Sequence, residues 1–186
     1  MKVLTAASLA LFSFVSISSS QAAEYPKVYD ANYECQAGAS KTSMRLTSDG
    51  KGKVRSESKT SAYKMVSILD YPAKTTYAIM DAQKSVMKMP LKDAYVGTVG
   101  EVLKTKKAAK DLGTKNIGGR LCRGCSYTEK GTDTEMWVDE ANQLLVKSNS
   151  KTGNMSTSMT LISANTNAPA AALFDIPKNY KITALQ

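Results

Sequence analysis

KTSMRLTSDGKGKVRSESK, residues 41–59, decides how the chain folds. From Lys41 to Thr47, Met44 and Leu46 fall on one side with polar residues between them, the period-two alternation of a strand. Asp49-Gly50-Lys51-Gly52 follows, and glycine supplies the positive φ that a tight hairpin turn needs. Val54 to Lys59 then returns as a polar strand, read as an edge of the sheet. The frame is antiparallel.

The same pattern extends in both directions. Upstream, Tyr33, Cys35 and Ala37 mark one face of a first strand. Downstream, Tyr63 to Leu69, Thr75 to Met80 and Ser85 to Met89 are separated by Asp70-Tyr71-Pro72 and by Asp81 to Lys84, and Pro90 ends the run. Residues 93–112 change character: Tyr95, Val99, Val102 and Leu103 take helical spacing with lysines opposite, and Gly97 and Gly100 delay the ordered helix to about Val99. Strands resume over Ile117 to Tyr127, Glu135 to Asp139, Gln143 to Ser148 and Met155 to Ser163. Ala164 to Ala172 is a Pro-containing connection with room for one helical turn. These readings give a mainly β (α+β) fold in one domain, residues 23–186.

Residues 1–22, MKVLTAASLALFSFVSISSSQA, join Lys2, an apolar stretch from Val3 to Ile17 and a small-residue exit, the make-up of a cleaved secretory signal peptide. The stretch is shorter than the about 20 residues of a membrane span, and no later segment has the length or apolarity for one. A soluble periplasmic protein is the expectation. The charge of +9 comes with scattered lysines, so nucleic acid is not an expected partner.

Histidine is absent from all 186 residues. Its absence removes the commonest general base, the Ser-His and Cys-His pairs and the usual nitrogen ligand of zinc or copper. The carboxylate pairs Asp139-Glu140, Asp133 with Glu135 and Asp70 with Asp81 fall at turns or strand ends, where Asp caps the backbone. The expectation is a protein without catalytic residues, cofactor or metal. Met87 and Met89 share a strand face in a manner suited to Cu(I), but no histidine or further methionine cluster in the sequence supports such a site.

Eight methionines lie beyond the leader, against one phenylalanine, Phe174, and one tryptophan, Trp137. Flexible thioethers adapt to varied apolar partners. Met65, Met80, Met87, Met89, Met136 and Met159 are therefore the candidate wall of a ligand cavity, with Val99 and Leu103 as its lid. Ordinary strand core is the competing reading.

Three cysteines in an oxidising compartment point to one disulfide and one thiol left over. Residues three apart on a strand face opposite ways, so only one of Cys122 and Cys125 can share the inward face of Cys35. The apolar parity of Leu121 and Tyr127 marks Cys125. Cys122-Arg123-Gly124-Cys125 also has the spacing of a redox dithiol, but on a strand rather than at a helix N-terminus that would stabilise a thiolate.

In order along the chain come Asp49-Gly50 with Arg55, Ile68-Leu69-Asp70, Tyr77 with Met80, Lys84 through Met87 and Met89-Pro90-Leu91, Leu112-Gly113, Ile117 with Gly119 and Cys122, Met136-Trp137-Val138-Asp139, and Leu173-Phe174 through Ile176-Pro177 to Tyr180. This succession resembles a family of secreted bacterial domains of unknown function similar to the periplasmic lipoprotein-carrier (LolA/LppX-like) superfamily, over about Val28 to Tyr180. The resemblance implies an unclosed, strongly curved antiparallel β-barrel with a helical lid, here the helix after Pro90, and binding of an apolar ligand such as a lipid acyl chain. It marks Cys122, so a bridge from Cys35 to either Cys122 or Cys125 is expected. None of Arg45, Arg55, Arg120 or Arg123 aligns with the arginine that the carriers use for cargo, so lipoprotein transport itself does not carry over. An envelope interaction or sensor domain with a filled core is the alternative, and a thiol-redox protein using Cys122 and Cys125 the third reading.

Overall fold

The computed structural model describes residues 25–59 and 64–185. The signal peptide expected over residues 1–22 lies outside them. Strands β1 (Tyr29–Ala37), β2 (Ser40–Ser48), β3 (Lys53–Lys59), β4 (Lys64–Asp70), β5 (Thr75–Met80) and β6 (Ser85–Pro90) run as a meander. A helix, α1 (Val99–Thr105), leads to β7 (Lys110–Ile117), β8 (Arg120–Glu129), β9 (Thr132–Asp139), β10 (Leu144–Thr152) and β11 (Met155–Asn165), and β12 (Lys181–Ala184) ends the chain. All twelve strands form one sheet, in the order β12-β6-β5-β4-β3-β2-β1-β11-β10-β9-β8-β7. The sheet is curved and does not close, an unclosed β-barrel carrying one helix among the described residues.

The 49–52 turn forms for the reason its sequence gives. Asp49 Oδ1 accepts from the backbone N–H of Lys51 at 2.7 Å and of Lys53 at 2.9 Å. Gly50 and Gly52 take φ of +71° and +102°, and a Cβ on Gly52 would stand 2.6 Å from Pro72 Cδ. The helix starts where the glycines allow it. Thr98 accepts from the N–H of Glu101 while the Glu101 carboxylate reaches back to the N–H of Thr98, a capping box.

Two expectations are corrected and one strand is added. Strand β3 is interior, paired with β2 and with β4. It reads as an edge because its residues are polar, and they are polar because one face carries ion pairs and the other is half-open. Residues 110–117 form strand β7, although residues 110–112 read as the end of the helical segment; it is the edge of the sheet opposite β12, its side chains almost all exposed, so no alternation betrays it. The segment after Tyr180, to which the sequence reading assigned no element, holds strand β12, which pairs in parallel with β6.

Residues opposed in a ladder share a face, which lets the register sort side chains across strands. Across β1–β6, one face carries Tyr33, Cys35, Met44, Leu46, Ser56, Ser58, Met65, Ser67, Ala78, Met80, Met87 and Met89, and no charged residue among those described. The opposite face holds the charges. There Arg45 grips Asp30 through two bonds of 2.7 and 2.6 Å, and Arg55 and Lys64 both reach Glu57 at 2.9 Å. That charged face also holds a core of Val66, Ile68, Ile79 and Val86, against which Ile176 and Tyr180 pack. Arg55 donates to the Leu173 carbonyl at 3.0 Å and the Tyr180 hydroxyl to Asp81 at 3.0 Å, so residues 173–180 are fixed over it.

In the second half of the sheet, Gly124 lies opposite Trp137. A Cβ at Gly124 would meet the indole ring at 2.6 Å. The ring cannot retreat: it is buried, its N–H donates to Glu135 at 2.7 Å, and the Lys115 ammonium lies 3.5 Å from its centroid. Gly124→Ala is expected to cost about 1–3 kcal/mol by overpacking, read as a lower urea midpoint with altered tryptophan fluorescence. An unchanged midpoint would show that the ring has room.

Candidate functional site

The eight candidate residues fall in three places. Met65, Met80, Met87 and Met89 share the uncharged face of β4–β6, half-buried except for Met65, which is 53% exposed. Val99, Leu103 and Met136 meet beneath α1, in a cluster with Val102, Cys125 and Val138. Met159 packs beside Cys35 and Met44 against Tyr29, Ala31, Tyr33 and Leu144. Ladder parity carries the uncharged face from Met65 through Ser58 and Met44 to Tyr33, and from Cys35 on to Met159.

The helix lies against the sheet with its apolar side inward. It contacts β7 and β8 and packs on Val138 and Met136 of β9; Val99 and Cys125 are fully buried, with Val102 and Val138 nearly so. The methionine face of β4–β6 keeps part of its surface exposed. What the strand readings missed is the segregation of charge between the two faces. Its signal lay in the parity of each strand, but only the register joins six strands into one surface.

Concave sites elsewhere have other chemistry. One of about 780 Å³ lies between the ends of β1 and β8–β11 and is lined by polar groups such as Thr134, Glu135, Asn149, Ser150 and Thr157; none of the eight candidate residues borders it. A cleft of about 500 Å³ is walled by Tyr25, Tyr71, Tyr95 and Leu91, with Lys74 and Lys92 at its margin. Tyr71 and Tyr95 meet edge to face there, with centroids 5.6 Å apart.

The three cysteines are free. The expected bridge from Cys35 to Cys122 or Cys125 is not formed, because β11, β10 and β9 stand between β1 and β8. Four inter-strand steps come to roughly 19 Å along the sheet, whereas a disulfide needs Cα atoms within about 7 Å. Cys122 packs with Trp137 and Val146, and Cys125 with the helix cluster, so the two lie on opposite faces. Burial pushes both thiols above their ordinary range, the reverse of an activated thiolate. Burial likewise pushes the Tyr29 hydroxyl up to about 12 and raises Tyr33, marking that end of the uncharged face as dry.

The family described as "Domain of unknown function (DUF4412)" matches residues 32–145. The chain belongs to this family. The match runs from β1 to the start of β10 and so takes in the whole methionine face of β4–β6. No curated protein sequence matches the chain. Among solved structures, an uncharacterized conserved protein from Thermus thermophilus is similar at a TM-score of 0.63 and 10% identity, covering 86% of this chain and 91% of that one. MucB of Pseudomonas aeruginosa, solved in complex with MucA, is similar at 0.55 and 14% identity, and the match covers 88% of this chain but 60% of MucB. The lipoprotein LprF from Mycobacterium bovis gives 0.41 and 12% identity, with 77% and 89% covered. At such identities the likeness is one of fold. No helix among the described residues is long and apolar enough to cross a membrane.

Proposed function

We propose that this DUF4412 protein is a non-enzymatic, periplasmic binding domain, exported by its first 22 residues and folded as one unit from residue 23, that takes an apolar ligand such as a lipid acyl chain against the methionine face of β4–β6. One observation carries the reading: across six strands that face presents thioether, aliphatic and small hydroxyl side chains and no charge among the described residues, while the charges of the same strands point the other way. Covering it removes apolar surface from water at about 25 cal/mol per Å². Unbranched thioethers mould to a flexible chain, and Ser56, Ser58, Ser67 and Ala78 leave the shallow floor between them.

The filled cluster beneath α1 favours a second reading, an envelope interaction domain whose partner is a protein surface. Mass spectrometry separates the two. Organic extracts of the protein purified from the periplasm are expected to contain a stoichiometric lipid, and intact mass to show cleavage after Ala22. Protein that is lipid-free and that binds no fatty acid when titrated would overturn the apolar-ligand reading.

A further inference from the structure

The ladder registers set sulfur along one rung of the sheet. Cys35 of β1 stands opposite Met159 of β11, Met159 opposite Ser148 of β10, Ser148 opposite Met136 of β9, and Met136 opposite Cys125 of β8. Directly opposed residues hold their Cβ atoms about 5 Å apart on one face, so the Cys35 thiol and the Met159 thioether are neighbours. Met44 joins them from the other side. It stands opposite Tyr33, the next residue of β1 on that face, and packs against the same core as Cys35 and Met159. Cys35 and Met159 also border a cavity of about 310 Å³ whose further walls include Thr42, Ser148 and Thr157. At the far end of the rung, Cys125 is sealed beneath α1, whereas Cys35 is only half-buried.

We propose that Cys35, Met159 and Met44 form a binding site for one soft monovalent cation, Cu(I). Thiolate and thioether sulfur select Cu(I) over cations that prefer oxygen or imidazole, and the chain has no histidine to offer a competing ligand set. The charge balance selects a monovalent ion. Binding displaces the Cys35 proton, so Cu⁺ and thiolate sum to zero on a face with no other charge nearby. A divalent ion would leave a positive charge there without a partner, at a high desolvation cost. Two unbranched thioethers, one from the strand on either side of β1, can close over the ion by rotating side chains alone. The metal site goes beyond the apolar-ligand reading and does not rest on it.

The test is competition for Cu(I) against bicinchoninate, without oxygen, on the reduced protein. The wild type is expected to withdraw one Cu(I) per chain, Met159→Leu to bind at least tenfold more weakly with its thiol intact, and Cys35→Ser to lose the site. Leucine conserves the methionine volume, and far-UV circular dichroism checks that each variant is folded. If the wild type fails to compete, or if both variants bind as it does, the site is not there.

Discussion

Replacing Ile68 by alanine is expected to destabilise the protein by about 2–5 kcal/mol, the range for truncating a fully buried aliphatic side chain. Ile68 is 1% exposed, at the centre of the cluster with Val66, Ile79 and Val86. Its cover is the C-terminal segment, through Ile176 and Tyr180. The rungs of β3–β4 and β4–β5 hold the strand on both sides, so the backbone cannot collapse into the space left behind. A urea titration should show a lower midpoint at an unchanged slope. Met65→Ala, one face over and 53% exposed, is expected to cost far less. If Ile68→Ala matched it, residues 173–180 would not be sealing that face.

A single charge on the methionine face should extinguish binding of a fatty acid. Ala78 sits mid-strand in β5, opposite Ser67 on one side and Met87 on the other. In Ala78→Glu, a ligand covering that floor would desolvate a carboxylate that has no cation on the same face. Several kcal/mol of uncompensated desolvation corresponds to more than about a hundredfold in affinity, at about 1.4 kcal/mol per decade. Fluorescence titration with cis-parinaric acid reads it directly. Lys88→Glu places a carboxylate on the opposite, charged face of β6 and is expected to leave binding unchanged. Equal affinity in Ala78→Glu and wild type would remove the methionine face as the site.

Local chemistry made much of this fold readable. Asp49-Gly50-Lys51-Gly52 specifies its turn through the positive φ of its glycines and the Asp49 carboxylate, and the helix begins at Val99, where the sequence reading put its ordered start. Thr98 and Glu101 carried a capping-box spacing that would have fixed it to the residue. Strand β7 escaped because an edge strand with both faces wet has no period to detect, and its lysines imitate the solvated side of a helix. Strand β12 escaped because its partner, β6, is set by tertiary packing. The candidate site was legible by strand and illegible by sheet: alternation placed Met87 and Met89 together, but nothing local ties Met65 to Met87, or Cys35 to Met159. Register supplies both, and register is decided by the whole ladder.

The β1–β11 ladder is the seam at which two meanders meet, one from β1 to β6 and the other from β7 to β11. It joins residues as distant in the chain as Asp30 and Asn165, while the ladders within each meander join near neighbours. Closing so long a loop carries a large entropy cost before any contact rewards it. Each meander is joined by ladders between neighbours in the chain, so the seam is expected to form last, read as a slow phase when refolding is followed by tryptophan fluorescence. Until it zips, β1 is an unpaired edge with Cys35 exposed along it, so the half-assembled chain is open to strand pairing with another copy and to thiol chemistry. On this expectation the exposure of β1 is a matter of time rather than of final structure, lasting only while that seam stays unsewn.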